Sequence, residues 1–347
     1  MAGSVDFELH PGESARPPAP DFALAPAVPV APTVPAAVAA PEVEVLARPV
    51  ATGARTAYSH WLVTRAQDFA LLMRLDRPVG IGLLLWPTLW ALWIAADGHP
   101  QPRLVAIFIA GTVLMRSAGC VINDLLDRNL DPQVRRTRDR PLAARRVAPL
   151  EAVALFVVLL AAALLVVLQL NAQSLRLAVI GAVLTVTYPL FKRFFPIPQL
   201  YLGLSFGWGV PMAFAAVLGE VPRAGWVLLL TAVVWAGVYD TFYAMADRQD
   251  DVRIGLKSSA ITFGDLDLLM IGAMQALVLL ALLFCARLLE WRAPFYTALA
   301  AGAACFAWQQ WLARGRDAPG CLRAFHNNNT FGIVILAGVI IQYAAPS

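Results

Sequence analysis

Two acidic stretches offer the most chemistry in this sequence. The first is N-D-L-L-D-R-N-L-D, Asn123 to Asp131, with Asp124, Asp127 and Asp131 spaced i, i+3, i+7. The second is Y-D-T-F-Y-A-M-A-D-R-Q-D-D, in which Asp240, Tyr243, Asp247 and Asp251 follow at i, i+3, i+7, i+11. At about 100° per residue, each set falls on one face of a helix. Each also contains Asp-Arg with a further Asp four residues after the first, Asp127-Arg128 with Asp131 and Asp247-Arg248 with Asp251, so the pair reads as a short internal repeat. No His or Cys joins either cluster. The ligands on offer are hard oxygens, which suit Mg²⁺ better than zinc or copper. Mg²⁺ bound by one or two carboxylates completes its shell with water and phosphate oxygens. Carboxylates in two stripes, with many Arg and Lys nearby, therefore point to more than one ion and a diphosphate.

The basic and polar groups that converge with them are spread along the chain. Arg74 and Arg77 sit in M-R-L-D-R-P-V-G, ahead of a helix whose first turn suits Pro78. Arg116 lies within the apolar run V-L-M-R-S-A-G-C, and Asn123 and Asp127, seven and eleven residues on, point within roughly 20° of it. An Arg in such a run either faces a polar cavity or pairs with an Asp to join two helices. Tyr188, Lys192 and Arg193 close T-Y-P-L-F-K-R, with Arg193 read as a snorkelling anchor. Residues 202–216, rich in Gly and Trp, permit close packing, a kink at Pro211 or an apolar wall. His326 and Asn327 to Asn329 are expected in a loop or cap before the last apolar run.

The elements that must position these groups are membrane spans. Of 347 residues, 59% are hydrophobic and only 14% charged, with a mean hydropathy of +0.65, far outside the soluble globular range. The expected fold is an all-α integral membrane protein of about nine transmembrane helices, near 79–97, 104–122, 150–169, 175–190, 199–218, 225–242, 266–286, 294–312 and 329–346. Residues 1–57 read as a disordered Pro/Ala-rich tail and fit neither a secretory nor a mitochondrial leader. Residues 58–347 form the membrane domain, opened by an amphipathic surface helix at 58–76. Cys120, Cys285, Cys305 and Cys321 have no metal-binding spacing and read as small core residues. Lys and Arg crowd the N-terminal approach and the connections after spans 2, 4, 6 and 8, which places those connections and the N-terminus in the cytoplasm. Both acidic clusters lie at cytoplasmic span ends and can meet there. An ionised Asp at a membrane-helix centre costs about 2.5–3.5 kcal/mol, so something must offset these charges.

With these motifs read, the chain resembles the UbiA superfamily of intramembrane aromatic prenyltransferases, and within it the 4-hydroxybenzoate polyprenyltransferases of ubiquinone synthesis. The resemblance runs from about Leu72 to the C-terminus. It rests on M-R-L-D-R-P-V-G with L-L-L-W-P-T-L-W-A-L-W, on M-R-S-A-G-C-V-I-N-D-L-L-D-R-N-L-D with R-T-R-D-R-P-L, on T-Y-P-L-F-K-R, and on the long second motif through L-K-S-S-A-I-T-F-G. It implies a central cavity under a cytoplasmic cap, in a bacterial inner membrane rather than a mitochondrial one, with polyprenyl diphosphate, 4-hydroxybenzoate and membrane lipid as partners and no nucleic acid. Asn123, Asp124, Asp127, Asp131, Asp240, Asp247 and Asp251 would bind Mg²⁺ and diphosphate. Arg135, Arg140, Lys192 and Lys257 would contact diphosphate or the aromatic carboxylate. The sequence departs from many relatives in P-L-A-A-R-R-V, which bears on the shape of that loop. Rival readings are prenylation of another aromatic or of haem, a divalent-cation transporter and a non-catalytic lipid-binding scaffold. A transporter calls for acids near the midplane rather than at span ends.

Overall fold

The computed structural model describes residues 52–345 apart from 135, 192–194 and 196, so residues 1–51 of the expected tail, Arg135, Lys192 and Arg193 lie outside the described residues. Twelve α-helices follow in order: α1 (Thr52–Leu72), α2 (Val79–Ala95), α3 (Pro102–Leu126), α4 (Pro149–Val167), α5 (Ala172–Phe191), α6 (Pro198–Gly207), α7 (Gly209–Leu218), α8 (Arg223–Ile254), α9 (Ser259–Phe263), α10 (Asp267–Leu288), α11 (Ala293–Ala313) and α12 (Ala318–Ala344). No strand occurs among the described residues. Seven helical stretches among them are long and apolar enough to cross a membrane: α3, α4, α5, α6 with α7, α8, α9 with α10, and α12. The 17-residue α2 is a shorter apolar helix. The chain is an integral membrane protein.

Three helix boundaries decide where the chemistry sits. The helical face expected to carry Asp124, Asp127 and Asp131 together does not form. α3 ends at Leu126, Asp127 is its C-cap, and Asp131 opens a short 3-10 turn through Gln133. Pro132 is the second residue of that turn, an early helical position that its fixed φ tolerates. The repeat is therefore one of sequence and not of shape. α8, in contrast, has no Pro or Gly between Gly237 and Gly255 and runs unbroken to Ile254, so Asp240, Tyr243, Asp247 and Asp251 do share one helix. Gly255, at φ 73°, closes it: Leu256 N–H donates to the Asp251 carbonyl and Gly255 N–H to that of Val252, a Schellman ending. The break between α6 and α7 falls at Trp208 because Pro211, lacking an N–H, leaves the Gly207 carbonyl without its helical donor.

α12 begins eleven residues earlier than the last span was expected to, at 318 instead of 329, and takes His326 and Asn327 to Asn329 into its interior. The loop-or-cap reading of these residues is therefore corrected. The amides serve as packing ties. Asn328 is fully buried and accepts from the Trp235 indole N–H at 2.9 Å; Asn329 accepts from Trp86 at 2.8 Å and donates to the Val79 carbonyl. Gln309 of α11 links Gln275 of α10 to Asn327. Each buried amide thereby exchanges a solvation cost for partners. Around them pack Trp90 and Trp235, stacked at 5.2 Å, with Phe331 against both. α1 is tied at its polar side, where Arg146 pairs with buried Asp68 and Arg65 with Glu151.

Candidate functional site

A cavity of about 640 Å³ runs between α2, α3, α4, α5, α6, α7, α8 and α12. Along α3 its lining extends from Asp127 back to Ile107, a helical rise of about 30 Å. Its two ends differ. One is walled by Leu160, Leu164, Leu170, Leu175, Val179 and Met212. Leu164 and Val179 are also 50% and 61% exposed, so the cavity opens sideways between α4 and α5.

The other end gathers the charged groups. Asp124, Asp127, Asp131, Asp240, Asp247 and Asp251 all line it, as do Arg74, Arg77, Arg116, Asn123, Arg140, Tyr188, Tyr243 and Lys257. The structure thus brings together every candidate residue it describes. Arg77 is exposed and 3.4 Å from its neighbour Asp76, a pairing of little energetic weight.

Asp124 is the buried hub. Its side chain is 1% exposed and accepts from Arg74 at 2.7 and 2.9 Å and from Arg140 at 3.0 Å. The same Arg140 nitrogen reaches Asp131 at 3.0 Å, so the short turn at Asp131–Gln133 returns Asp131 to the hub. Arg74 gets there through an unfavourable backbone. It occupies the left-handed position after α1, φ 58°, where Leu75 N–H donates to the Ala70 carbonyl and Arg74 N–H to that of Leu71. That is the place Gly usually takes, and a non-Gly residue there costs of order 1–3 kcal/mol.

The second cluster is held by Arg136. Its Nε donates to Asp247 Oδ1 at 2.9 Å and its Nη2 to Oδ2, and its guanidinium lies 4.6 Å from the centre of the Tyr243 ring. Burial works against this charge, but Tyr243 and Asp247 overcome it and raise its pKa. Arg136 was missed in the sequence, where only its neighbour Arg135 was singled out; the two adjacent arginines were the available signal. Further down the cavity, Arg116 lies 5.3 Å from the Phe206 ring centre. Gly80 makes room for it, since a Cβ there would stand 2.6 Å from Arg116 Nη2.

Among the described residues, no three His, Cys, Asp or Glu converge closely enough to hold an ion by themselves. The donor set nevertheless suits Mg²⁺: all-oxygen, drawn from both clusters onto one cavity, and interleaved with guanidiniums that favour phosphate oxygens.

The UbiA prenyltransferase family pattern matches residues 84–333. The chain belongs to this family. Among its relatives are proteins named 4-hydroxybenzoate octaprenyltransferase from Ectopseudomonas mendocina, 49% identical over 280 residues, and from Coxiella burnetii, 51% identical over 272. These alignments cover 81% and 78% of this chain and 95% of each relative. The apo structure of a UbiA homologue from Aeropyrum pernix K1 superposes with a TM-score of 0.65 at 26% identity, covering 74% of this chain and 97% of that one. A UbiA homologue from Archaeoglobus fulgidus, bound to GPP and Mg²⁺, shares the fold at 16% identity, with a TM-score of 0.64 over 80% of this chain and all of the other. At half-identity to aromatic prenyltransferases, this UbiA-family chain is an enzyme of that kind.

One consequence concerns stability alone. Burial pushes the Asp131 carboxyl above the ordinary carboxylate range, Arg140 pulls it back, and Asp124 and Asp127 push it up again, for a net rise. The folded protein then holds this proton more tightly than the unfolded chain does. The ionised form costs stability, in full above the folded-state pKa and not at all below the unfolded one. Asp131→Asn is expected to melt no lower than wild type at neutral pH without divalent ions, and to lose the gain that this group confers as the pH falls between the two values. Thermal scans of both proteins across the acid-to-neutral range check this; a lower melting point for the variant at neutral pH would contradict it.

Proposed function

We propose that the protein transfers a polyprenyl group from polyprenyl diphosphate to the ring carbon ortho to the hydroxyl of 4-hydroxybenzoate, in ubiquinone biosynthesis. The observation that carries this reading is the division of one cavity into an acidic, arginine-rich end and an apolar end open to lipid. The diphosphate belongs at the first and the isoprenoid tail at the second, leaving between α4 and α5. Mg²⁺ held by Asp124, Asp127, Asp131, Asp247 and Asp251 would supply charge neutralisation for the departing diphosphate.

The chain's own residues do the rest. Arg74, Arg136 and Arg140 present donors to diphosphate oxygens, and Arg135 and Lys192 are proposed to assist. Electrostatic stabilisation of the leaving group lets the allylic C–O bond ionise. The apolar walls keep water from the cation. The aromatic acceptor enters with its carboxylate toward Arg116 or Lys257 and its ring beside Tyr188 and Tyr243. Its carbon next to the phenol oxygen attacks the cation, and Asp240 or Asp247 accepts the proton whose loss restores aromaticity. We further propose nine spans, counting α2 and α11 with the seven above, and connections 127–148 and 255–266 as the cap. The site and N-terminus would face the cytoplasm of a bacterial inner membrane, with α1 along its surface.

Purified protein in lipid, given Mg²⁺, polyprenyl diphosphate and labelled 4-hydroxybenzoate, is expected to form product prenylated at the ortho carbon, and none with Mg²⁺ chelated. Absence of product while other aromatic acceptors react would overturn the acceptor assignment.

A further inference from the structure

Asp267, the first residue of α10, is a buried carboxylate outside the cavity, and its side chain is 0% exposed. Two guanidiniums serve it. Arg248 of α8 donates through Nη2 to Oδ2, and Arg316, from the α11–α12 connection, donates through Nε to Oδ1 at 3.0 Å. Both arginines sit at some cost. Arg316 occupies the left-handed region at φ 54°, and Arg248 Nε is buried without a hydrogen-bond partner. Arg316 Nη2 also donates to the Asp265 carbonyl at 2.9 Å.

The place of Arg248 gives this arrangement a purpose. The buried residues of α8 stop at Met245, whereas Asp247 and Asp251 lie beyond. Ala246 still packs against the core, but residues 247–254 are only half-buried or exposed, so apolar packing does less to hold their orientation. Arg248 follows Asp247 and leaves the helix about 100° away from it, so a fixed partner for Arg248 fixes the direction of its neighbour. The matching Arg128 of the first motif has no such role in the structure: its Nη1 donates to the nearby Leu125 carbonyl at 2.9 Å.

We propose that Asp267 is a positioning residue for the second acidic stripe. Through Arg248 it holds the last turns of α8 so that Asp247 and Asp251 face the cavity, and Arg316 ties the same carboxylate to the α11–α12 connection. The effect on substrate binding rests on the diphosphate reading above; the effect on α8 does not.

The test uses the full chain in lipid nanodiscs, comparing wild type with Asp267→Asn, Asp267→Glu and Arg316→Met. Hydrogen exchange of the amides at 246–254 reports the helix end, and the KM values for prenyl diphosphate and for 4-hydroxybenzoate report the site. Asp267→Asn is expected to speed exchange at 246–254 by about tenfold or more while the rest of α8 stays protected. It should raise the KM for prenyl diphosphate by about tenfold and leave that for the acceptor within about twofold. Asp267→Glu should restore most of both. If Asp267→Asn does not fold, Arg316→Met, which leaves the Arg248 pair in place, should show a smaller rise confined to the same amides. Unchanged exchange at 246–254 would overturn the inference, as would loosening spread evenly through α8, α10 and α12 with both KM values rising together. Local loosening in a protein whose wild type does not use prenyl diphosphate would uphold the positioning role and remove the diphosphate reading instead.

Discussion

Asp124→Ala is expected to abolish prenyl transfer and to lower the melting temperature together. The carboxylate is 1% exposed and accepts three hydrogen bonds from Arg74 and Arg140. Its removal takes the carboxylate from Arg74 and leaves Arg140 to Asp131, with the two guanidiniums, 18% and 15% exposed, deprived of the charge that joins them. Breaking a buried pair by deleting one partner costs about 3–5 kcal/mol. The like charges left behind repel, and Arg74 loses what offsets its left-handed backbone. Transfer should fall by at least about 10³-fold, since the arginines that would receive the diphosphate are no longer held in place. Asp124→Asn separates the two effects. It keeps the shape and one acceptor oxygen, so it should recover much of the melting temperature and little of the activity. Thermal scans in detergent and a radiolabelled transfer assay on both variants suffice. An Asp124→Ala protein that melts like wild type would show that the hub does not hold this end of the molecule.

How much of this the sequence reveals depends on how regular the backbone is. The stripe from Asp240 to Asp251 is legible because nothing interrupts α8 before Gly255, so residue spacing translates directly into direction. Asp131 obeys the same spacing, but α3 stops at Leu126, and its arrival beside Asp124 depends on a 3-10 turn and on Arg140. Irregular connections hide partners for the same reason. Spacing cannot tell that Arg136 reaches Asp247 across 111 positions, nor that Arg248, two residues from Asp250 and three from Asp251, turns aside to Asp267. The Asn pair at 328 and 329 was misplaced because the partners that allow amides inside a membrane helix, Trp235 and Trp86, are 93 and 243 residues away. Seven of the expected apolar spans could be read from composition because crossing a bilayer takes about 20 apolar helical residues. α12 exceeded its expected limit because those distant partners offset its polar residues.

Asp247→Ala should show a different balance from Asp124→Ala: a large loss of transfer, with a smaller loss of stability. Asp247 and Arg136 are 16% and 26% exposed, and no residue of α8 beyond Met245 is buried, so the pair adds little to the packed interior. Such a part-buried, partly screened pair is worth less than the fully buried Asp124 hub, so the melting temperature should fall by less than in Asp124→Ala. In catalysis its weight is greater. In the proposed reaction Asp247 is a ligand for Mg²⁺ and a candidate acceptor for the ring proton, and it also aims Arg136 over Tyr243. A loss of about 10²–10³-fold in kcat/KM is expected. The companion Arg136→Met removes the guanidinium but keeps an apolar cover on Tyr243, and should mainly raise the KM for prenyl diphosphate. The relative size of the two single losses distinguishes two roles for Asp247. If the carboxylate acts only by aiming Arg136, Asp247→Ala and Arg136→Met lose equally and the double variant loses no more than either. If it also touches metal or proton, Asp247→Ala loses far more than Arg136→Met, and adding the second change to it costs little further. Equal and fully additive losses would place the two side chains in independent roles, despite the hydrogen bonds between them.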